Sequence, residues 1–166
     1  MRNYRSRRIG AAMTQQITSQ PITRHDPRLA AWTAFLRAHA RLVRELEREL
    51  QAEQHMALTD YDVLVQLANA GDRRLRMSEL ADRLLLSRSG ATRLVDRLVA
   101  QGLVGRVMCD VDRRGQWASL TDAGYKRLRQ ASPTHLRGVA EHFLDRLPAD
   151  ELAALERAFT RLDDEA

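Results

Sequence analysis

From Leu29 onward, apolar residues recur at steps of three and four: Leu29, Trp32, Phe35, Leu36, Leu42, Val43, Leu46 and Leu50 mark one side of a helix, with His39 in the same stripe. Arg41, Glu45 and Glu49 fall on the flanks expected to be exposed. Asp26 followed by Pro27 predicts the start, an N-cap with proline at the first helical position. The pattern predicts a helix of roughly 28 residues. So long a stripe is more than a small domain covers alone, which calls for a partner helix. Leu58, Thr59, Asp62 and Val63 read as a cap with a hydrophobic staple, opening a second helix that carries Leu64 and Leu67 and stops near Gly71.

Two short helices follow in "MSELADRLLL" and "SRSGATRLVDRLVAQG", broken around Leu86 and Ser87, the second closed by Gly102 in the left-handed region. "LVGRVMCDVDRRGQWASL" places β-branched and aromatic residues on both sides of a charged turn with Gly115, which predicts a two-stranded hairpin. Thr121 restarts helix, with Tyr125, Leu128, Leu136, Val139, Phe143 and Leu147 along one side and a kink expected at Pro133. Pro148 opens a last helix bearing Leu152, Leu155, Phe159 and Leu162. Residues 1–25 show no such periodicity and read as a flexible basic arm, within which Met13 offers an alternative translation start.

Composition narrows the classes. With 166 residues, 44% hydrophobic and 30% charged, and only 8 Gly and 4 Pro, the chain suits one mostly helical domain or a core with helical arms. No apolar run approaches the roughly 18 to 20 residues that span a bilayer. The basic start "MRNYRSRRIG" lacks a following signal-peptide core, so the expectation is a cytoplasmic protein with no membrane partner. A single Cys, Cys109, excludes a disulfide framework.

Charge is distributed unevenly. Residues 1–28 hold six Arg against Asp26 alone, and residues 71–114 hold ten Arg against six acids. Residues 145–166 hold three Arg against seven acids. A basic middle suits a polyanion, and an acidic end suits solvent or a partner chain. All but one of the basic residues are Arg, whose planar fork favours phosphate and guanine, although a GC-rich genome produces the same bias.

On the helix after Ser87, a turn of 100° per residue gathers Ala91, Leu94, Val95 and Leu98 on one side and Ser89, Thr92, Arg93 and Asp96 opposite. Ser87 is placed as its cap, and the free N–H groups of its first turn favour phosphate. Such a small, polar and basic tip is what a helix entering a major groove requires, while an ordinary solvated helical pair would read similarly. The hairpin turn carries Asp110, Asp112, Arg113 and Arg114. An Arg pair there can reach a narrow minor groove, with Asp112 holding an Arg extended.

"LTDYDVLVQL", then "SELADRLLLSRSGATRLVDRLVAQGLV", then "DVDRRGQWASLTDAG" resemble the MarR family of winged helix-turn-helix regulators in wording, order and spacing. The likeness is close over residues 58–124 and extends to residues 27–57 and 125–162 by helix layout. It implies a mainly α fold with a small β-hairpin wing and four segments: the arm over 1–25, an N-terminal dimerisation helix over 26–57, a winged helix-turn-helix over 58–122 and C-terminal dimerisation helices over 123–166. It implies a homodimeric, ligand-responsive repressor on a pseudo-palindromic double-stranded DNA operator. Carried over by position, Ser87, Arg88, Ser89, Thr92 and Arg93 are the recognition-helix contacts, while Asp112, Arg113 and Arg114 are the wing contacts. Two residues depart from the family pattern: Leu85 stands where many members have Gly, arguing for a turn without positive φ, and Gly90 replaces a larger residue.

The resemblance also implies a pocket for a small aromatic or phenolic ligand, with Trp32, His39, Tyr61 and Asp62, and also Arg93, as imaginable lining. Plainer roles compete: packing for Trp32, helix capping for Asp62, a partly buried place in the stripe for His39. The five His lack metal-ligand spacing, and His135 and His142 have no carboxylate or Cys close in sequence to help them, so no metal or cofactor is expected. The family's sensor Cys lies in the first helix, unlike Cys109. No G-x-S-x-G, P-loop or H-E-x-x-H motif occurs, so a small enzyme is a remote alternative. A winged helix that grips another protein rather than DNA is the nearer one.

Overall fold

The computed structural model describes residues 23–108 and 116–164. In chain order these form α1 (Leu29–Gln54), α2 (Leu58–Asn69), β1 (Arg74–Arg76), α3 (Met77–Arg83), α4 (Arg88–Ala100), β2 (Val104–Met108), β3 (Gln116–Leu120), α5 (Asp122–His142), a 3-10 turn at Leu144–Arg146 and α6 (Ala149–Asp164). The fold is mainly helical with a hairpin wing. The hairpin carries one strand more than its sequence pattern predicts: β1 pairs antiparallel with β3, giving the order β1-β3-β2. Three residues of Arg-Leu-Arg alternation are too short to signal a strand alone, and only the hairpin edge completes their hydrogen bonding.

Two helix starts differ from the sequence expectation. Helix α1 has 26 residues and begins at Leu29, behind Arg28. Asp26 caps the turn that leads into it, its C=O accepting from Leu29 N at 3.0 Å, rather than the first residue of the regular helix. Its carboxylate accepts from the Arg28 backbone N–H at 2.9 Å and from the Arg28 guanidinium at 2.5 Å, and that hydrogen-bonded guanidinium holds its pKa down at about 2. Helix α2 begins behind Ala57, leaving Thr59 and Asp62 inside the helix rather than at its cap. The free N–H of Leu58 finds its partner on another helix, Glu47 Oε2 of α1, at 2.6 Å.

The other caps follow the sequence. Ser87 Oγ accepts from Gly90 N at 3.1 Å and Thr121 Oγ1 from Gly124 N at 2.9 Å. Helix α4 ends with Gly102 at φ +73°, Leu103 N donating to Leu98 O and Gly102 N to Val99 O. The same bonding closes α3, where Leu86 N reaches Ala81 O and Leu85 N reaches Asp82 O. It forces Leu85 to φ +54°, against the expectation of a turn without positive φ. Its side chain is 93% exposed, so no packing offsets a left-handed conformation that costs an L-residue about 1 to 2 kcal/mol.

Leu64, Leu67, Leu80, Val95 and Leu98 are completely buried beneath β3, whose Ala118 closes the core, and Leu50 extends it to α1. Helix α5 runs through Pro133 and presents Leu128, Ala131, Thr134 and Gly138 inward, at three- and four-residue steps. That phase leaves Leu136 61% exposed, not in the inward row expected of it. It also brings His142 Nε2 to Glu49 Oε1 at 2.7 Å, so Glu49 is not an exposed flank and His142 does have a carboxylate, supplied from α1. No helix of the described residues is long and apolar enough to cross a membrane.

The arms are covered differently. Trp32, Phe35 and Leu36 of α1 are 56%, 41% and 44% exposed, and Phe159 of α6 is 41% exposed although its ring lies 5.6 Å from that of Phe35. Trp32 is therefore left mostly open, its ring 5.9 Å from that of Phe35, and His39 is exposed rather than partly buried, because among the described residues little beyond Phe159 covers that half of α1.

Candidate nucleic-acid interface

Helix α4 divides as its periodicity requires. Ala91, Leu94, Val95 and Leu98 are buried, while Arg88, Ser89, Thr92, Arg93 and Asp96 are exposed. The apolar side sets the helix rigidly on the core, so the polar side keeps a fixed orientation. At its tip Ser87 Oγ lies 3.2 Å from Ser89 Oγ, and Thr92 Oγ1 donates to Arg88 O at 2.8 Å, leaving oxygen lone pairs outward. A Cβ on Gly90 would stand 3.2 Å from Ser87 Oγ, so glycine there leaves room for the capping hydroxyl. Among the described residues, neither Arg88 nor Arg93 has a carboxylate within 4.0 Å. Two guanidinium groups with no such partner among the described residues thus stand on the N-terminal half of the helix, an arrangement that attracts anions and offers bidentate donors.

Two ion pairs missed by the sequence reading orient this helix. Asp60 of α2, buried, accepts from Arg97 Nη2 at 2.5 Å, fixing the rear of α4. Asp96 accepts from Arg106 Nη2 at 2.7 Å, and Arg106 also donates to Gln116, so one side chain ties the helix to both hairpin arms. The Asp96 charge that would repel phosphate is neutralised in the same contact. Arg106 could have been suspected from strand alternation, since it shares the inward face of β2 with Val104.

Asp112, Arg113, Arg114 and Cys109 lie outside the described residues; β2 and β3 lead into and out of that segment. The five residues considered for a ligand pocket are not brought together within one chain, Arg93 standing on the exposed side of α4. Trp32 and His39 lie on the exposed half of α1, Trp32 about 22 Å along the helix from Glu47, which touches α2. Tyr61 and Asp62 sit instead at the junction of α2 with α1 and α5. Tyr61 stacks 4.4 Å from the His135 ring and its hydroxyl approaches Ser132 Oγ at 3.5 Å. Burial raises the Asp62 pKa, with the charge of Glu47 adding to it, and burial lowers that of His135. A shallow groove of about 440 Å³ lies elsewhere, at the start of α1 between Arg24, Leu29, Thr33 and Arg37. Glu49, Glu141 and His142 gather ligand atoms within 4.8 Å, but Arg48 at 3.3 Å from Glu49 and Arg137 at 3.9 Å from Glu141 already balance those carboxylates.

Comparison with known proteins gives consistent matches. A MarR family model matches residues 56–115. The HTH-type transcriptional regulator YkoM of Bacillus subtilis, described as uncharacterized, is 30% identical over 93 residues, 56% of this chain and 59% of its own length. The crystal structure of AbsC, a MarR family transcriptional regulator from Streptomyces coelicolor, superposes with a TM-score of 0.79 at 32% identity, covering 89% of this chain and 97% of that one. Sco3205 from the same organism, a MarR family regulator solved in complex with DNA, gives 0.81 at 34% identity over 87% and 91%. With a third of its residues shared across nearly the whole of two such proteins, and the same fold throughout, the chain belongs to the MarR family of transcriptional regulators.

Proposed function

We propose that the protein is a homodimeric repressor that binds a pseudo-palindromic double-stranded DNA operator, one recognition helix of each protomer entering successive major grooves about 10 bp apart. The observation that carries this reading is the exposed tip of α4, with Arg88, Ser89, Thr92 and Arg93 around a capped N-terminus and two guanidinium groups that have no carboxylate partner among the described residues. Base edges are read by Ser89, Thr92 and Arg93, and phosphates are met by Ser87 and Arg88. The wing adds Arg114 in the minor groove, held extended by Asp112, with Arg113 on the backbone. The uncovered apolar face of α1 and α6 supports the dimer. Effector response belongs to the same proposal: a small aromatic or phenolic ligand entering the desolvated junction at Tyr61 and Asp62 would alter the spacing of the two recognition helices.

Selection of bound duplexes from a random pool tests the reading directly and should return an inverted repeat. On that repeat, Arg93→Ala and Arg114→Ala should each weaken binding by about 1 to 3 kcal/mol without dissociating the dimer. Recovery of no symmetric sequence, or affinity indifferent to salt, would favour a protein partner instead.

A further inference from the structure

On the wing sheet, Leu75 is buried against Ala118, its partner in the β1–β3 register. Arg74 and Arg76 therefore project from the opposite, outer face, because successive side chains of a strand alternate. Both lie over one ring, each guanidinium carbon standing 5.3 Å from the Trp117 centroid. A third arginine, Arg73, stands 4.1 Å over the Tyr125 ring beside them. Stacking on an aromatic face holds a guanidinium flat and leaves its N–H edge free for an oxyanion in the plane.

The carboxylates near this row are few. Asp72 pairs with Arg74 at 3.1 Å, and Asp122 lies 3.9 Å from Arg73. Glu79 spends one oxygen on the backbone N–H of Arg76, at 3.0 Å, and the Arg76 guanidinium has no carboxylate within 4.0 Å among the described residues. Position matters as much as charge. Trp117 is the second residue of β3 and pairs with both Arg76 and Val107, so these three form one of the rows nearest residues 109–115. Arg76 also directly precedes α3, which packs on the recognition helix.

We propose that Arg76 and Arg74, stacked on Trp117, form a phosphate-binding subsite on the outer wing face that grips the DNA backbone flanking each half-site. This rests on the DNA-binding reading and adds a third contact surface to the helix tip and the wing tip. Its occupant is a run of phosphates rather than base edges, because the donors lie on a sheet face too broad for a groove. The subsite contributes affinity without sequence information and sets how far the footprint extends beyond the repeat.

The experiment uses the full-length protein, its selected operator and an unrelated duplex, with affinity measured across a salt series. Arg76→Gln should weaken both duplexes alike, by roughly threefold to tenfold, and should reduce the slope of log affinity against log salt by about 0.9 for each phosphate lost. Arg76→Lys should keep the slope, and Trp117→Leu should lose affinity although no charge is removed. On the DNA side, a single methylphosphonate flanking the half-site should weaken the wild type and leave Arg76→Gln indifferent, a test that survives any change in the variant's stability. Unchanged affinity and slope in Arg76→Gln, or a loss confined to the operator, would overturn the subsite while leaving the α4 reading intact. Failure of the wild type to bind either duplex would instead overturn the functional reading itself.

Discussion

The winged region and the helical arms obey the same amphipathic rule and end in opposite states. In the winged region Leu64, Leu80, Val95 and Leu98 come from three helices and are each fully buried by one another and by the sheet. In the arms Trp32, Leu36 and Phe159 repeat at helical spacing just as regularly, yet 41% to 56% of their surface stays open to solvent. Periodicity shows that a face needs covering; it does not say which chain covers it. The region that is complete within one chain is the one that presents the polar tip of α4, and the incomplete region is the one that would fix the distance between two such tips.

That contrast can be broken from either side. Leu98→Ala should cost the winged region about 2 to 5 kcal/mol, read from a denaturant titration, because a void opens where helix, helix and sheet converge. Sedimentation of the same variant under native conditions should show an unchanged assembly. Phe35→Asp should do the reverse. Losing the apolar contact of one large side chain, about 2 to 3 kcal/mol, and burying a charge should raise the dimer dissociation constant at least about 100-fold while the circular dichroism of the winged region persists. A Phe35→Asp protein that still sediments as a tight dimer would place the interface elsewhere.

Smaller effects sharpen the comparison within the winged region. Leu85→Gly should stabilise it by about 0.5 to 1 kcal/mol, since relief of the left-handed strain exceeds the added freedom of the unfolded chain and no buried surface is lost. A fall in stability would mean that Leu85 carries a contact. The smallest effect is one of pH. Burial lowers the His135 pKa below its ordinary 6.5, so its contribution is complete above that value and is lost as pH falls from there toward the folded-state pKa. The stability of the wild type relative to His135→Gln should therefore decline as pH falls below about 6.5, whereas an unchanged difference would show that the imidazole stays solvated.

Much of the candidate site was legible along the chain because it is local. Ser87 as cap, Gly102 as stop and the two sides of α4 each depend on residues within about one helical turn, where geometry alone decides who can touch whom. The errors are equally instructive. Asp62 had the spacing of a capping acid, but Glu47, eleven residues before Leu58 and on another helix, took that role, and the two carboxylates cannot be ranked without knowing where α1 lies. Leu85 carried no glycine signal, because the closing hydrogen bonds from Leu85 and Leu86 impose the left-handed turn regardless. His142 lacked a neighbour in sequence and found one 93 residues away, at Glu49.

By itself the order of residues determined the element types, the faces that must be apolar and the polar tip of α4, since each follows from backbone periodicity and from donors left unpaired at helix ends. Only the tertiary structure decided that Arg106 neutralises Asp96, that Arg74 and Arg76 share one indole, that three residues become a strand and that, among the described residues, the first half of α1 stays largely exposed. These are meetings between distant segments, whose partners depend on how whole elements pack, and no local propensity encodes them.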